Sequence, residues 1–278
     1  MKLGFHVSIE GGLDRAIDRA RELQCSTFQL FTRSPRMWKY REIGDEEAEA
    51  FKFKLKASGI GPVFSHMPYL PNLSSPREEV YHKSVESLMV ETERCRLLDI
   101  PYLVTHLGST LGAGHKAGLK RISDAFSRIE HGSPMILLEN TSGKRNEVGS
   151  TFSELREIMD TVEGPSLGVC LDTCHAYARG YDLKTEEGVE ATIDEFDGII
   201  GLGNLRLVHL NDSKGAQGSR IDRHEHIGLG EIGERGFSNI LGSRLREAPL
   251  IMETPVDGRR SDVENMIKVL ELAGLHVS

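Results

Sequence analysis

The sequence predicts a (β/α)8 TIM barrel in a single domain spanning residues 1–278, with its active site at the C-terminal ends of the strands. Three observations carry this. Eight short apolar runs recur along the chain, at residues 3–6, 27–31, 62–66, 102–106, 135–139, 167–172, 205–209 and 249–253. They are continuous rather than alternating, the pattern of strands buried on both faces in a parallel sheet. Their ends recur on average about every 35 residues, room for one strand and one return helix.

The intervening segments read as helices. Residues 45–58 form one that stops before Gly59, a residue suited to the left-handed position after a helix. Residues 78–98 form another, with Val85, Leu88, Met89, Thr92 and Cys95 on one side. Near the end, Ser261 and Glu264 have capping-box spacing, ahead of an apolar stripe of Val263, Met266, Ile267 and Leu270. No Pro/Ser-rich linker divides the chain. An open doubly wound sheet would use the same alternation. What favours closure is the residue that ends seven of the eight runs: His6, His66, His106, Glu139, Asp172, His209 and Glu253. A barrel brings such strand ends together, whereas an open sheet strings them along a line.

Composition excludes several classes. With 38% apolar and 27% charged residues the chain can bury a core, so it is neither disordered nor collagen-like. No run approaches the ~18–20 apolar residues of a membrane span, and MKLGFHVSIEGG lacks the apolar core of a signal peptide. Cys25, Cys95, Cys170 and Cys174 show no Cys-x-x-Cys spacing and read as reduced thiols of a cytoplasmic protein.

A single His or Glu at a strand end is ordinary; seven of eight runs ending this way is not. Imidazole and carboxylate without thiolates are the ligands of a reactive zinc or manganese site rather than a closed structural one. Asp172 and His175, three residues apart after the sixth run, can face one cavity. Residues 211–236 form a long loop containing Asp222-Arg223-His224-Glu225-His226. There either Asp222 with His224, or His224 with His226, has the i, i+2 spacing to bind one ion, and spacing does not choose between them. The same loop carries Gly228-x-Gly230-x-x-Gly233, with Glu253 about 20 residues on, a match to the dinucleotide fingerprint. That fingerprint must follow a strand directly, and here a polar loop precedes it. No nucleotide cofactor is expected, and the stretch reads as flexible chain passing close to something. Cys174 beside His175 lacks a third orienting group for nucleophilic catalysis, and Cys170 reads as core.

His66, His106, Glu139, Asp172-x-x-His175, His209-Leu-Asn-Asp212, Asp222-Arg-His224 and Glu253 together closely resemble endonuclease IV, a family of zinc-dependent apurinic/apyrimidinic endonucleases of base excision repair. The likeness runs from Gly4-Phe5-His6 to Glu253. It implies a (β/α)8 barrel, a monomer, and three zinc ions. His66, His106 and Glu139 would hold the first. Glu139 would bridge to a second completed by Asp172, His209 and Glu253. His175, Asp222 and His224 would hold the third. Three Zn²⁺ against the four carboxylates leave about +2 for hydroxide and substrate phosphate. Glu139 and Glu253 would also orient the nucleophile. The implied reaction cuts the phosphodiester 5′ of an abasic site in double-stranded DNA, leaving a 3′-hydroxyl and a 5′-deoxyribose phosphate.

A net charge of −8 seems at odds with DNA, but zinc offsets most of it and local distribution matters more. The stretch Thr32-Arg33-Ser34-Pro35-Arg36-Met37-Trp38-Lys39-Tyr40-Arg41 carries four cations and two aromatics. The resemblance makes Arg36, Tyr69 and Leu70 the wedge at a flipped-out abasic nucleotide. Lys144, Arg145, Lys214, Arg220 and Arg223 lie on other strand-end loops where phosphates would pass. A divalent-metal sugar isomerase could use the same barrel, but has no use for the Asp222/His224 arm. A DNA-damage binding protein with structural zinc would want thiolates.

Overall fold

The computed structural model describes residues 1–132 and 134–275. Eight parallel strands form the barrel: β1 (Leu3–Phe5), β2 (Phe28–Leu30), β3 (Val63–His66), β4 (Tyr102–Thr105), β5 (Met135–Glu139), β6 (Leu167–Asp172), β7 (Leu205–His209) and β10 (Leu250–Met252). Their order around the sheet is β1-β10-β7-β6-β5-β4-β3-β2. A parallel bridge between His6 and Gln29, with the Val7 N–H donating to the Gln29 carbonyl at 2.8 Å, joins β1 to β2 and closes the ring. The return helices are α1 (Arg15–Glu22), α2 (Asp45–Ser58), α3 (Glu78–Leu97), α4 (His115–Phe126), α5 (Phe152–Thr161), α6 (Thr173–Arg179), α7 (Glu186–Ile199), α8 (Gly233–Gly242) and α9 (Asp262–Leu272).

Local sequence sets the helix ends. α2 stops at Gly59, which takes φ 68°, a left-handed turn available to glycine without penalty. α9 begins in a complete capping box, with Ser261 accepting from the Glu264 N–H and the Glu264 carboxylate accepting from the Ser261 N–H. Each of two expected apolar stripes has one member in solvent. Met89 of α3 and Val263 of α9 are exposed, and the buried faces run through Tyr81, Val85, Leu88, Thr92 and Cys95, and through Asn265, Met266 and Val269. Both exposed residues sit about one position around the helix from the stripe that packs, beyond the reach of the sheet.

The expected loop at 211–236 is partly regular. Its chain folds back as an antiparallel pair, β8 (Asp212–Ser213) with β9 (His224–Glu225), and α8 begins at Gly233. Pairs of two residues are too short to show as periodicity.

Two cores lie on either side of the strands. The larger fills the space between sheet and helices. The smaller occupies the barrel axis and consists of Phe64, Val104, Leu137, Cys170, Leu207 and Ile251. Side chains alternate along a strand, so the residue two positions after each of these also faces the axis. Those residues are His66, His106, Glu139, Asp172, His209 and Glu253. The apolar layer is therefore the floor of a polar cup.

Candidate metal centre

The cup is assembled by that alternation and by register. His66 follows from Phe64 on β3, Glu139 from Leu137 on β5, and Asp172 lies beside His209 where β6 pairs with β7. Among the groups whose ligand-type atoms come within 4.8 Å of one another are His66, His106 and Glu139; Glu139, Asp172, His209 and Glu253, which shares Glu139 with the first; and His175, Asp222 and His224. Asp172 caps α6, its Oδ1 accepting from the His175 N–H at 2.7 Å, which turns His175 back toward the cup.

The imidazoles are oriented by what their other nitrogens do. Nδ1–H of His66 donates to the Met67 carbonyl at 2.7 Å, that of His175 to the Asn140 carbonyl at 2.9 Å, and that of His224 to the Glu253 carbonyl at 3.1 Å. A carbonyl only accepts, so each ring carries a proton on Nδ1 and turns Nε2, the nitrogen that could ligate a metal, inward. For His224 that Nε2 is buried with no hydrogen-bond partner, 3.6 Å from Asp172 and 3.9 Å from Asp222. A buried imidazole nitrogen without a partner, aimed at two carboxylates, fits a divalent metal between them.

Electrostatics agree. Burial would raise the Glu139 carboxyl, yet the charges of His106 and His209, with hydrogen bonds from His209 and His66, hold it well below the usual carboxylate range. Burial also opposes ionisation of Glu253, which His209 and His6 nonetheless keep well below that range. His175 is pushed down by burial and up by Asp172 and Asp222, with the net at about 10. Protons thus stand where a metal would otherwise balance four carboxylates. Lys144, exposed at the rim, adds to this balance, its Nζ donating to Asp222 at 2.9 Å.

His226 takes no part. Its ring is buried beside Asp257 and Asn265 at 3.0 and 2.9 Å, facing away from Asp222. The pair on one side of the arm is Asp222 and His224.

Three further residues shape the cup without having stood out in the sequence. Asn140 Oδ1 accepts from the Asp172 N–H at 2.7 Å. Asn211 donates to Asp172 Oδ2 and accepts from the Glu253 N–H, both at 2.8 Å. Gln29 reaches from β2 to His209 and Glu253. Asn140 and Asn211 stand one and two residues beyond a strand-end ligand, a position that could have marked them.

The glycine-rich stretch is a cradle for a side chain of this chain. The buried Asp212 carboxylate accepts backbone N–H bonds from Ser213, Gly228, Gly230, Ile232 and Gly233 at 2.8–3.3 Å. A Cβ on Gly230 would lie 2.5 Å from Asp212 Oδ1, so the close approach requires glycine.

A family model described as a xylose isomerase-like TIM barrel matches residues 17–272. "Probable endonuclease 4" of Methanoculleus marisnigri is 54% identical over 278 residues, covering 98% of this chain and 99% of its own. The chain belongs to the endonuclease IV family. A second relative under the same name, from Cenarchaeum symbiosum, is 50% identical over 99% of this chain and all of its own. The crystal structure of endonuclease IV from Thermus thermophilus superposes with a TM-score of 0.88 at 37% identity, covering 99% of both chains. A D-tagatose 3-epimerase-like protein, 20% identical with a TM-score of 0.70 over 99% and 98% of the two chains, shares the fold. Family membership makes the chain an enzyme, a nuclease of the hydrolase class.

At the rim of this endonuclease IV family barrel, the loops after β2 and β3 meet, the Tyr69 N–H donating to the Pro35 carbonyl at 3.1 Å. Arg36, Tyr69 and Leu70 are exposed there, and Tyr69 packs edge-on to Phe31. Arg33 is not part of this surface. It is buried, bonded to Glu91 and Ser87 at 2.5 and 2.6 Å, and its guanidinium donates to the carbonyls of Met37 and Trp38. Its charge fixes the loop instead of facing solvent. Lys214, Arg220 and Arg223 are exposed on the arm after β7. No helix among the described residues is long and apolar enough to cross a membrane.

Proposed function

We propose that this chain is a zinc-dependent endonuclease of base excision repair that hydrolyses the phosphodiester 5′ of an abasic site in double-stranded DNA, giving a 3′-hydroxyl and a 5′-deoxyribose phosphate. The observation that carries the reading is the polar cup. Four carboxylates and the inward nitrogens of oriented imidazoles meet above a barrel floor, in a chain whose relatives are named endonuclease 4. His66, His106 and Glu139 hold one zinc ion; Glu139, Asp172, His209 and Glu253 a second; His175, Asp222 and His224 a third. Bound zinc supplies Lewis-acid stabilisation of the phosphodiester and an attacking water of lowered pKa.

The chain's own residues do the rest. Glu139 and Glu253 orient the nucleophile, Glu139 from the buried centre and Glu253 from the half-open edge. Arg36, Tyr69 and Leu70 fill the gap left where the abasic nucleotide leaves the stack, and Lys214, Arg220 and Arg223 hold backbone phosphates. Residues 1–278 act as one domain and as a monomer, in the cytoplasm where the DNA lies. The Asp222/His224 arm favours phosphodiester hydrolysis over sugar isomerisation, because a third group serves a leaving oxygen that an isomerase lacks. The test is to incubate purified protein, before and after zinc stripping, with a duplex carrying one abasic site, and map the nick. Zinc-dependent cleavage on the 5′ side is the expected result. Cleavage on the 3′ side, or none with zinc restored, would refute the reading.

A further inference from the structure

Resting on the zinc reading above, we propose that Gln29 is a positioning residue for the group formed by Glu139, Asp172, His209 and Glu253. Its side-chain amide fixes which nitrogen of His209, and which oxygen of Glu253, faces a metal ion. Gln29 is fully buried and points to the barrel axis from β2. Its Nε2 lies 2.7 Å from Glu253 Oε1 and its Oε1 lies 2.9 Å from His209 Nε2. A carboxylate oxygen only accepts, so the NH₂ end must face Glu253 and the carbonyl end must face His209. His209 therefore carries a proton on Nε2, and Nδ1 is the nitrogen it turns toward Glu139 at 2.9 Å, Glu253 at 3.5 Å and Asp172 at 3.9 Å. Glu253 Oε1 is occupied by Gln29, leaving Oε2 on the Nδ1 side. The same amide nitrogen lies 2.9 Å from His6 Nδ1.

His66, His175 and His224 obtain the same service from main-chain carbonyls, which no substitution removes. His209 depends on a replaceable side chain. Loss of such an outer partner typically weakens metal binding about 10–100-fold.

The test is zinc release from the whole protein, measured by atomic absorption after dialysis against graded chelator. Gln29→Leu removes both contacts, and Gln29→Glu keeps the acceptor for His209 while removing the donor to Glu253. One zinc ion per chain is expected to leave Gln29→Leu at a chelator concentration about 10–100-fold below that for wild type, with Gln29→Glu between the two. The remaining ions stay, which a general loosening of the fold would not produce. Should Gln29→Leu fail to fold, the early release of one ion from Gln29→Glu supports the proposal, and a wild-type profile in that variant overturns it. A folded Gln29→Leu with the wild-type profile also overturns it. Wild-type protein that holds no zinc overturns the underlying metal reading, and the proposal with it.

Discussion

His224 and Glu253 hold each other through a main-chain contact: the imidazole Nδ1–H donates to the Glu253 carbonyl at 3.1 Å. One residue lies on the β8–β9 arm and the other ends the last barrel strand. The arm is thus fastened to the barrel by backbone, and side-chain chemistry at Glu253 can change without releasing His224. The cup behaves as one unit, with Asp222 and His224 delivered from outside to a site whose other members are built on strands.

Glu139 belongs to two of the three groups and is held ionised in a buried position. Glu139→Gln preserves shape and removes the charge. Strand cleavage at an abasic site is expected to fall more than about 100-fold, beyond the loss typical of an outer-sphere partner, while circular dichroism stays native. Near-normal turnover would remove Glu139 from the reaction.

Asp212 is the anchor of the arm, accepting five backbone N–H bonds. Asp212→Ala leaves these donors buried and unpaired. Urea unfolding should show a loss of about 3 kcal/mol or more. A change under about 1 kcal/mol would mean the cradle closes without its carboxylate.

Arg36 stands exposed on a loop that Arg33 braces from beneath. Arg36→Ala is expected to weaken binding to abasic duplex more than to intact duplex, measured by fluorescence anisotropy at fixed salt. Equal loss on both would make it a phosphate contact only.

Stripping metal leaves four carboxylates facing one another, balanced by protonated histidines. The melting temperature should drop by about 10 °C and recover when zinc is returned, since ligand bound only by the native state stabilises it. Identical melting curves would argue against metal bound by the native fold.

Much of this was legible in the chain. Continuous apolar runs ending in His or carboxylate disclosed the barrel, because alternation carries the inward direction of Leu137 on to Glu139 and of Leu207 on to His209. What the chain concealed has physical reasons. Asp222 and His226 both stand two residues from His224 and separate only when β9 pairs with β8 and the His226 ring turns toward Asp257. Arg33 looks like its exposed neighbours until Glu91, 58 residues on, draws it inward. The glycines at 228–233 read as flexible because nothing local announces that Asp212 fills their cradle. Gln29 is one amide in an apolar strand, and its meaning appears only when β1 meets β2.

The central claim is that residues from 66 to 253 gather three divalent ions in one cup. Anomalous scattering at the zinc edge from a crystal of the zinc-loaded protein tests it directly. Three peaks are expected, one in each of the groups containing His66, His209 and His224. A single peak, or zinc only at surface histidines such as His82 or His115, would contradict it.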